Sequence, residues 1–563
     1  MTIPSGIGRW LTGLTMAVLV SCTPTNQDSR TAENCINADS LERHVLALAS
    51  DAFEGRKPFT RGEQKTVAYL ATQFETMGFE GANNGSFFQD VPLVEISGTP
   101  SSVMMVAAPR ETVELGYLDE FIASTSRITG QIDIDGSELV FAGYGIVAPE
   151  FGWNDYDGLN VKGKTVMVLV NDPGFATQNP QLFKGNAMTY YGRWTYKYEE
   201  AARQGAEGVI VIHETKAAGY PWTVLQNGAS GADLLLQADD GHMSRCALEG
   251  WLTTDAAAKI LAACGLDSER LFESAAAPGF EPVITGARVT VSITNELRFD
   301  TSKNVVAMLR GAGRADECVV FTAHWDHLGI GPVADGDSIY NGAADNALPL
   351  ACMLETARAF SGLDRRPSRT VLFIAVTAEE TGLLGSAYYA ANPIFPLEKT
   401  VANLNYELFL PIGRMADVTV FGWGQSELDS YVVEAAKAQS RYVTPEPFPE
   451  NGMYFRSDHF SFAKAGVPAL FVKGWSEDRE RGSQWTSGKI AEFWSKHYHR
   501  PSDEYDPHTS DLGGIVEDAK LFFKIGYALS TESTFPRWNA NSEFKAVRDS
   551  MMAEHAPVAP AKD

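Results

Sequence analysis

The sequence predicts an α/β protein with a doubly wound, mainly parallel β-sheet and helices on both faces. Three observations support this fold class. From residue 304 onwards, apolar β-branched runs alternate with segments of helical periodicity, which is typical of parallel strands joined by crossover helices. The runs are apolar at almost every position, which indicates strands buried on both faces. Several runs end abruptly in His, Asp or Glu, and open α/β sheets bind ligands at the carboxyl ends of their strands.

Six strands and four helices are predicted in this part of the chain. The predicted strands are Asn304–Leu309, Cys318–Ala323, Thr370–Thr377, Thr400–Leu408, Val418–Phe421 and Pro468–Val472. The predicted helices are Asn346–Phe360, Leu384–Ala391, Glu427–Gln439 and Leu512–Leu529. Residues 37–79 also have apolar residues at helical spacing, with a turn-like break in which Glu54 and Arg56 are expected to form a structural salt bridge.

The length of 563 residues predicts two to four domains, because one hydrophobic core rarely organises so long a chain. We assign 1–22 to a signal peptide, 23–36 to a tether, 37–99 and 291–535 to the main α/β domain, 100–290 to an insert and 536–563 to a carboxy-terminal extension and tail. The insert differs in texture, with short alternating strands, many turns and many aromatic residues. It has no cluster of catalytic residues, so we interpret it as a lid or recognition module.

The net charge excludes one class of partner. The chain has 46 basic and 71 acidic residues, a formal charge of −25, whereas nucleic-acid binding requires a basic surface. The same charge provides no electrostatic attraction to anionic lipid. We expect no nucleic-acid partner, and the sequence leaves the oligomeric state open.

The first residues predict export. The apolar run of residues 11–20 is too short to span a bilayer, which is typical of a signal peptide. It ends in Leu19-Val20-Ser21-Cys22, which resembles the lipobox of bacterial lipoproteins. We therefore expect a protein of the bacterial periplasm or outer membrane that is lipid-anchored at Cys22. The alternative is an ordinary signal peptide with an incidental Cys.

The other cysteines show no spacing typical of a thiolate metal site. Export permits disulfides, and Cys246 with Cys264 is the plausible pair, although the sequence leaves open whether they bond. Cys318 and Cys352 fall in an apolar strand and an apolar helix, so we expect them to be buried as small hydrophobic residues.

The ends of two buried strands carry the first candidate site residues. His324 and Asp326 follow one strand, and a His ligand commonly has a carboxylate near its second ring nitrogen. Glu379 and Glu380 close the next strand. Adjacent buried acids repel each other and are costly to desolvate unless a cation is near. Asp345 precedes a helix and on its own would be interpreted as an N-cap.

Two later residues complete the candidate set. Glu407 lies near the end of another strand, and His499 lies in a Pro-containing loop before the last helix. Two imidazoles and three carboxylates without thiolate suit a pair of divalent ions, with Zn²⁺ the best fit and Mn²⁺ or Co²⁺ as alternatives. The sequence therefore predicts a two-metal hydrolytic centre.

In order along the chain, these motifs resemble the M28 family of co-catalytic zinc peptidases. The family pattern of H-x-D, Asp-Asn, Glu-Glu, N-x-D and Y-H-x-P-x-D corresponds here to His324/Asp326, Asp345-Asn346, Glu379-Glu380, Asn405-Tyr406-Glu407 and Tyr498-His499-Arg500-Pro501-Ser502-Asp503. The insert resembles the protease-associated domain of exported peptidases. The segments that carry this resemblance are Gly143-Tyr-Gly145, Gly163-Lys164 and Gly205-Ala-Glu-Gly208.

The resemblance implies a role for each residue of the set. Asp345 would bridge two zinc ions, with His324 and Glu407 completing one site and Glu380 and His499 the other. Glu407 departs from the family pattern, in which this ligand is Asp, so the resemblance leaves metal affinity at that site open. The preceding Asn405 is a poorer candidate because a neutral amide binds Zn²⁺ weakly.

Three further residues receive catalytic roles from the resemblance. Glu379 would be the general base that deprotonates the attacking water and passes the proton to the leaving amine. Tyr498 would stabilise the developing oxyanion. Asp326 would orient the imidazole of His324 without itself binding a metal ion.

The family resemblance predicts an exported exopeptidase acting on peptides, with an aminopeptidase as the leading interpretation. A carboxypeptidase acting on acidic dipeptides is an alternative because the same centre serves both, and it would need arginines near the metals; Arg456, Arg479, Arg481 and Arg500 are the candidates. Further alternatives are a glutaminyl cyclase-like enzyme with a single zinc ion and a binding protein whose metal site is damaged.

Overall fold

The computed structural model describes residues 26–229 and 231–555. The strands are β1 (Glu80–Gly81), β2 (Phe88–Pro100), β3 (Val103–Ala107), β4 (Thr112–Gly116), β5 (Phe121–Ser124), β6 (Gln131–Phe141), β7 (Val147–Ala148), β8 (Trp153–Asn154), β9 (Thr165–Leu169), β10 (Gly208–His213), β11 (Asp233–Leu236), β12 (Leu248–Thr253), β13 (Val283–Leu309), β14 (Arg314–His324), β15 (Gly329–Ala334), β16 (Asp337–Tyr340), β17 (Arg369–Val376), β18 (Thr400–Asn405), β19 (Asp417–Phe421), β20 (Tyr442–Pro445) and β21 (Ala469–Lys473).

The helices occur between these strands and at both ends. They are α1 (Asn26–Glu33), α2 (Ala38–Leu48), α3 (Arg61–Thr76), α4 (Pro173–Thr177), α5 (Trp194–Arg203), α6 (Thr215–Ala218), α7 (Trp222–Gly228), α8 (Thr254–Ala263), α9 (Ser268–Ala275), α10 (Leu348–Ser361), α11 (Leu384–Ala391), α12 (Leu428–Ala438), α13 (His459–Lys464), α14 (Gly482–Lys496), α15 (Gly513–Thr531) and α16 (Lys545–Glu554).

The main sheet confirms the predicted fold class. Its strands lie in the order β1-β13-β17-β14-β18-β21-β19-β20, and β17, β14, β18 and β21 are parallel neighbours. Because parallel strands end at the same edge, this arrangement brings the residues after β14, β17 and β18 together. The predicted strand from Thr400 to Leu408 is shorter than expected. It ends at Asn405, and the chain then turns out of the sheet, with Leu408 at a φ of 47°.

Both faces of the main sheet are covered by helices. Alternate residues of β14 belong to two different apolar clusters: Phe321 packs with α10 and α15 on one face, and Val320 packs with α11 and α13 on the other. Phe321 stacks on Phe373 of the neighbouring strand, with ring centroids 4.8 Å apart. This two-sided burial explains why the strands have no polar alternation in the sequence.

The insert is built around a second parallel unit. Strands β6, β9, β10 and β12 pair in parallel, and β5 adds an antiparallel edge. The chain enters and leaves this region through β2 and β13, which pair antiparallel from Phe88↔Val305 to Pro100↔Ile293. The assigned boundary near residue 290 thus falls inside one continuous strand, which extends from the insert into the main sheet.

The plausible disulfide between Cys246 and Cys264 does not form. Cys246 and Cys264 are both free thiols. They cannot meet because they pack on opposite faces of the insert's sheet: Cys246 lies in the apolar cluster that contains Val209, whereas Cys264 packs against the cluster that contains Ile210. Cys318 and Cys352 are buried free cysteines, as predicted.

The expected salt bridge between Glu54 and Arg56 is also absent from the described residues. Glu54 instead pairs with Lys65, at 3.2 Å. The buried Arg56 guanidinium donates hydrogen bonds to four main-chain carbonyl groups, those of Leu48, Trp325, Asn341 and Gly342. Arg56 therefore fastens the amino-terminal helices to the loop segments around the candidate site.

The predicted signal peptide with Cys22 lies outside the described residues, as do residues 556–563 of the predicted tail. Part of the segment assigned to the tether is helical, since it contains α1, and Ala32 and Ile36 are buried in the main core. Among the described helices, none combines the length and the apolar character that crossing a bilayer requires.

Candidate metal centre

The structure brings all five predicted ligands together at the carboxyl edge of the parallel strands. His324 is the last residue of β14, and Glu380 lies in the turn that follows β17. Glu407 lies two residues beyond β18, Asp345 precedes α10, and His499 follows α14. Asp345 and His499, which are 154 residues apart in the sequence, are thereby brought within 3.5 Å of each other.

Asp345 lies at the centre of this group, with its two carboxylate oxygens facing different histidines. Oδ1 is 3.2 Å from Nε2 of His324, and Oδ2 is 3.5 Å from Nε2 of His499. On the side of His324, Oε2 of Glu407 lies 3.5 Å from the same Nε2 atom. On the side of His499, Oε2 of Glu380 lies 2.9 Å from the ring nitrogen. The carboxylate of Asp345 is thus placed to be shared between two ligand sets.

Three buried atoms of the predicted ligands lack a hydrogen-bond partner among the described residues. They are Nε2 of His324, Oδ1 of Asp345 and Nε2 of His499. Two ligands of a tetrahedral zinc site, each 2.0–2.1 Å from the ion, lie about 3.3 Å apart, and the separations of 3.2 and 3.5 Å around Asp345 are close to this value. Imidazole and carboxylate donors also suit Zn²⁺. The residues present therefore fit a pair of zinc ions.

The pKa values of Asp345 and Glu380 favour the ionised forms of these two carboxylates. Burial raises the pKa of Asp345, but His324 and His499 overcome this effect and hold its pKa well below the ordinary value. Burial likewise opposes ionisation of Glu380, yet His499 and other neighbours lower its pKa to about 2. Burial lowers the pKa of His499, and Glu380 and Asp345 raise it to about 10. Metal ions displace protons from such a cluster, because only deprotonated ligands bind them.

Glu379 differs electrostatically from its neighbour Glu380. Burial and the charges of Glu407 and Asp458 raise the pKa of Glu379 well above the ordinary value, although His324 opposes the shift. Its Oε2 is 4.0 Å from Nε2 of His324, farther than the ligand contacts of Asp345 and Glu407. Glu379 also lies near enough to His324 and Glu407 to share a cation with them. Its position is therefore compatible with the predicted base and also with an additional ligand.

Asp326 holds the site in a different way from the one predicted. Nδ1 of His324 lies 3.0 Å from the main-chain oxygen of Asp326, and only 3.7 Å from its carboxylate. The carboxylate instead accepts hydrogen bonds from the main-chain N–H groups of Glu379 and Glu380, at 3.1 and 3.3 Å. One residue therefore orients the imidazole through its carbonyl and positions both glutamates through its side chain.

Tyr498 lies beside the predicted ligand His499. Its ring stacks on that of His499, with centroids 3.9 Å apart and planes inclined by 21°. Burial and the negative charges of Asp345 and Glu380 raise the pKa of Tyr498 well above the ordinary value, so the phenol keeps its proton.

Several residues of the site were not assigned a role from the sequence. Nδ1 of His327 lies 2.5 Å from Oε1 of Glu380. Asp503 accepts hydrogen bonds from the main-chain N–H groups of Ala344 and Asp345, at 2.9 and 3.1 Å. His327 closes the run H-W-D-H, one residue beyond the quoted H-x-D motif. Asp503 is the last residue of the quoted Y-H-x-P-x-D motif, which contained it without indicating its role.

The loop between β20 and α13 contributes two further residues. Ser457 donates a hydrogen bond to Oε2 of Glu407 at 2.8 Å and accepts one from the amide of Asn405 at 2.7 Å. Both carboxylate oxygens of the neighbouring Asp458 are buried without a partner among the described residues. The amide of Asn405 is bound to Ser457 and Thr322, which agrees with its exclusion as a ligand. No sequence signal distinguished these loop residues.

Comparisons with known proteins match part of the chain. Residues 304–521 match the family model described as Peptidase family M28. Aminopeptidase NAALADL1 of Mus musculus is 32% identical over 168 residues, which are 28% of this chain and 20% of that protein. The protein named "Probable zinc metalloprotease Lema_P086240" of Leptosphaeria maculans is 39% identical over 244 residues, 40% of this chain and 54% of its own. This chain thus spans a fifth of one relative and about half of the other.

Among solved structures, the aminopeptidase from Aneurinibacillus sp. strain AM-1 is similar over 90% of this chain and 97% of its own. The two are 19% identical, with a TM-score of 0.47.

Proposed function

We propose that this chain is a zinc-dependent exopeptidase that removes amino-terminal residues from peptides, because residues 304–521 match the family model described as Peptidase family M28. The observation that carries the proposal is the position of Asp345, whose two oxygens face His324 and His499 at 3.2 and 3.5 Å. The name of the mouse relative, an aminopeptidase, favours this direction of attack.

The five ligands divide into two sets that share Asp345. His324 and Glu407 would hold one zinc ion, and His499 and Glu380 would hold the other. The chemistry supplied when zinc is bound is polarisation of the scissile carbonyl and a lowered pKa of water.

Proton transfer is assigned to Glu379. Its carboxylate takes a proton from the attacking water and delivers it to the nitrogen of the leaving amine, so that the peptide C–N bond breaks without release of an unstable anion. The raised pKa of Glu379 suits this role, because a more basic carboxylate accepts the proton of the attacking water more readily. Asp326 fixes the main-chain N–H of Glu379 and thereby its position.

The phenol of Tyr498 is assigned to the developing oxyanion. A hydrogen-bond donor held in a water-poor site stabilises a charge that forms only in the transition state. Stacking on His499 limits the motion of the ring, and the raised pKa keeps the proton on the phenol oxygen.

The function can be tested with paired chromogenic substrates. Leucine p-nitroanilide should be hydrolysed, and its N-acetyl derivative, which lacks the free amine, should not. Chelation should abolish turnover, Zn²⁺ should restore it, and metal analysis should find two ions per chain. Release of the carboxy-terminal residue from an N-acetylated acidic dipeptide would favour the carboxypeptidase instead. Cyclisation of a glutaminyl peptide with one zinc per chain would favour the cyclase.

We also propose that residues 100–290 are a protease-associated insert and that the protein is exported with a lipid on Cys22. Contact between the insert and the main domain supports the first proposal, since the N–H of Met188 bonds to the carbonyl of Pro449 at 3.1 Å. Fractionation of a bacterial expression host tests the second. The wild-type chain should enter the membrane fraction, and Cys22→Ala should not.

A further inference from the structure

A lysine is buried at the end of a strand that is otherwise apolar. Lys473 is the last residue of β21, in which every residue is buried, and it is only 2% exposed. Its Nζ atom lies 4.1 Å from the ring centre of Trp475, and 5.2 and 5.0 Å from those of Phe421 and Phe471. Lysine is almost never fully buried without polar partners, because an amine that loses its water without gaining hydrogen bonds raises the free energy of the folded state. The partners of Lys473 therefore indicate what it does at this position.

The side-chain nitrogen of Lys473 donates hydrogen bonds to two successive main-chain carbonyl groups. They are those of Glu407, at 3.2 Å, and Leu408, at 2.8 Å. Lys473 is itself fixed, because its main chain pairs with Thr419 of β19. Glu407 is one of the assigned metal ligands, and the contact to its carbonyl group leaves both of its carboxylate oxygens available to other partners. Lys473 therefore holds the main chain of a ligand.

The register of the sheet explains why a side chain makes this contact. β18 and β21 pair in parallel up to Asn405↔Phe471, and Glu407 and Lys473 follow two residues later in the two segments. β18 ends at Asn405, so its pairing with β21 stops before Glu407. The chain then leaves the sheet through Leu408, whose φ of 47° is a conformation that leucine rarely adopts and that persists only where its surroundings hold it. The hydrogen bonds from Lys473 take the place of the missing main-chain pairing.

The carboxylate end of Glu407 is held by a different element. Ser457 donates a hydrogen bond to Oε2 at 2.8 Å, and the same oxygen lies 3.5 Å from Nε2 of His324. The side chain of glutamate is longer by a methylene group than that of aspartate, the residue of the family pattern. The position of the main chain therefore decides where the carboxylate of Glu407 lies relative to His324.

We propose that Lys473 is a positioning residue that fixes the main chain of Glu407 and thereby sets the zinc affinity of the site formed by His324 and Glu407. Partners that orient a metal ligand without touching the ion commonly change metal affinity about 10–100-fold when they are removed. The inference rests on the proposed function in one respect, the assignment of Glu407 as a zinc ligand. It deepens that assignment by naming the residue that accommodates glutamate in place of aspartate.

Removal of the amine tests the inference through metal binding. Lys473→Met keeps the apolar stem of the side chain but loses the hydrogen-bond donor. Zinc affinity, measured by competition with a chelator, should fall about tenfold to hundredfold for one of the two ions. The ion held by His499 and Glu380 should be bound nearly as tightly as in the wild type. A folded Lys473→Met protein that binds both ions with wild-type affinity would overturn the inference.

Matched variants separate this effect from a general loss of stability. Lys197 is also fully buried, and its Nζ atom donates to a main-chain carbonyl, that of Asn171 in the insert, at 2.8 Å. Lys197→Met should therefore lower the thermal midpoint and leave both zinc affinities unchanged. Lys473→Arg keeps N–H donors and should bind zinc nearly as the wild type does; if it binds zinc as weakly as Lys473→Met, packing and not the hydrogen bonds is responsible and the inference is wrong. If Lys473→Met does not fold, Lys473→Gln, whose shorter side chain withdraws the donor, provides the same measurement.

Combining Lys473→Met with Glu407→Asp measures the coupling between the two residues. With Lys473 present the main chain is held, so Glu407→Asp should withdraw the carboxylate and weaken zinc binding. In the Lys473→Met background the main chain can move towards the ion, so the same substitution should weaken zinc binding less, by a factor of about three or more, as for residues in contact. A purely structural lysine predicts instead that the two losses in binding free energy add, and additive losses would refute the positioning role.

These measurements distinguish a failure of the inference from a failure of the proposed function, because zinc binding requires no turnover. If the wild type binds two zinc ions but hydrolyses no peptide, and Lys473→Met weakens one ion, only the proposed function fails. If the wild type hydrolyses peptides and Lys473→Met binds zinc as the wild type does, only the inference fails. Fewer than two zinc ions on the wild type would refute both.

Discussion

Replacement of Glu379 by Gln separates the proposed base from the metal ligands. The substitution keeps the volume of the side chain and the main-chain hydrogen bond to Asp326 at 3.1 Å. It removes a carboxylate whose nearest oxygen is 4.0 Å from Nε2 of His324, beyond the 3.2 and 3.5 Å of the assigned ligands. We therefore expect the fold and both metal ions to persist.

Glu379→Gln should lower the rate of hydrolysis and leave the zinc content unchanged. A positioned general acid–base contributes a factor of about 10²–10⁴, which corresponds to about 2.7–5.4 kcal/mol in activation free energy. The assay is kcat on leucine p-nitroanilide, with zinc content measured on the same preparation. Glu380→Gln is the comparison, because it removes an assigned ligand at 2.9 Å from His499 and should lower zinc content.

The result that refutes the assignment is loss of zinc from Glu379→Gln. Glu379, His324 and Glu407 lie close enough to bind one cation, so such a loss would make Glu379 a ligand and leave the base unassigned. Retention of zinc with nearly full activity would exclude Glu379 as the base.

Three further predictions concern one assigned ligand, the packing of the core and a buried glutamate. Glu407→Asp should remain active on leucine p-nitroanilide but bind zinc with a different affinity, measured by competition with a chelator, because the shorter side chain withdraws the carboxylate. Gly526→Ala should destabilise the protein by about 1–3 kcal/mol in chemical denaturation, since the new Cβ would lie 2.3 Å from Cζ of Phe321, and Phe321→Leu should partly rescue it. Burial raises the pKa of Glu446 to about 7, so the protein loses stability as the pH rises from about 4.5 to 7. Glu446→Gln should raise the thermal midpoint at pH 8 and leave it unchanged at pH 4.

Local sequence determined the elements of the main domain. Predicted and observed helices such as Leu384–Ala391 coincide, and the strands around Phe321 and Phe373 were found because residues buried on both faces leave continuous apolar runs. The same runs located His324 and Glu380, because a buried strand that ends in an acid or a histidine is visible without any knowledge of its neighbours.

The positions of residues in loops were decided only by the tertiary structure. Ser457 contacts Glu407 across 50 residues of sequence, and no local pattern encodes that contact. The question of a disulfide stayed open for the same reason, since spacing in sequence did not reveal that Cys246 and Cys264 lie on opposite faces of one sheet. Local periodicity reports how a residue is buried, whereas its partner depends on how distant strands and loops pack. The sequence by itself therefore determined the strands and the residues at their ends, and the tertiary structure decided which of these residues meet.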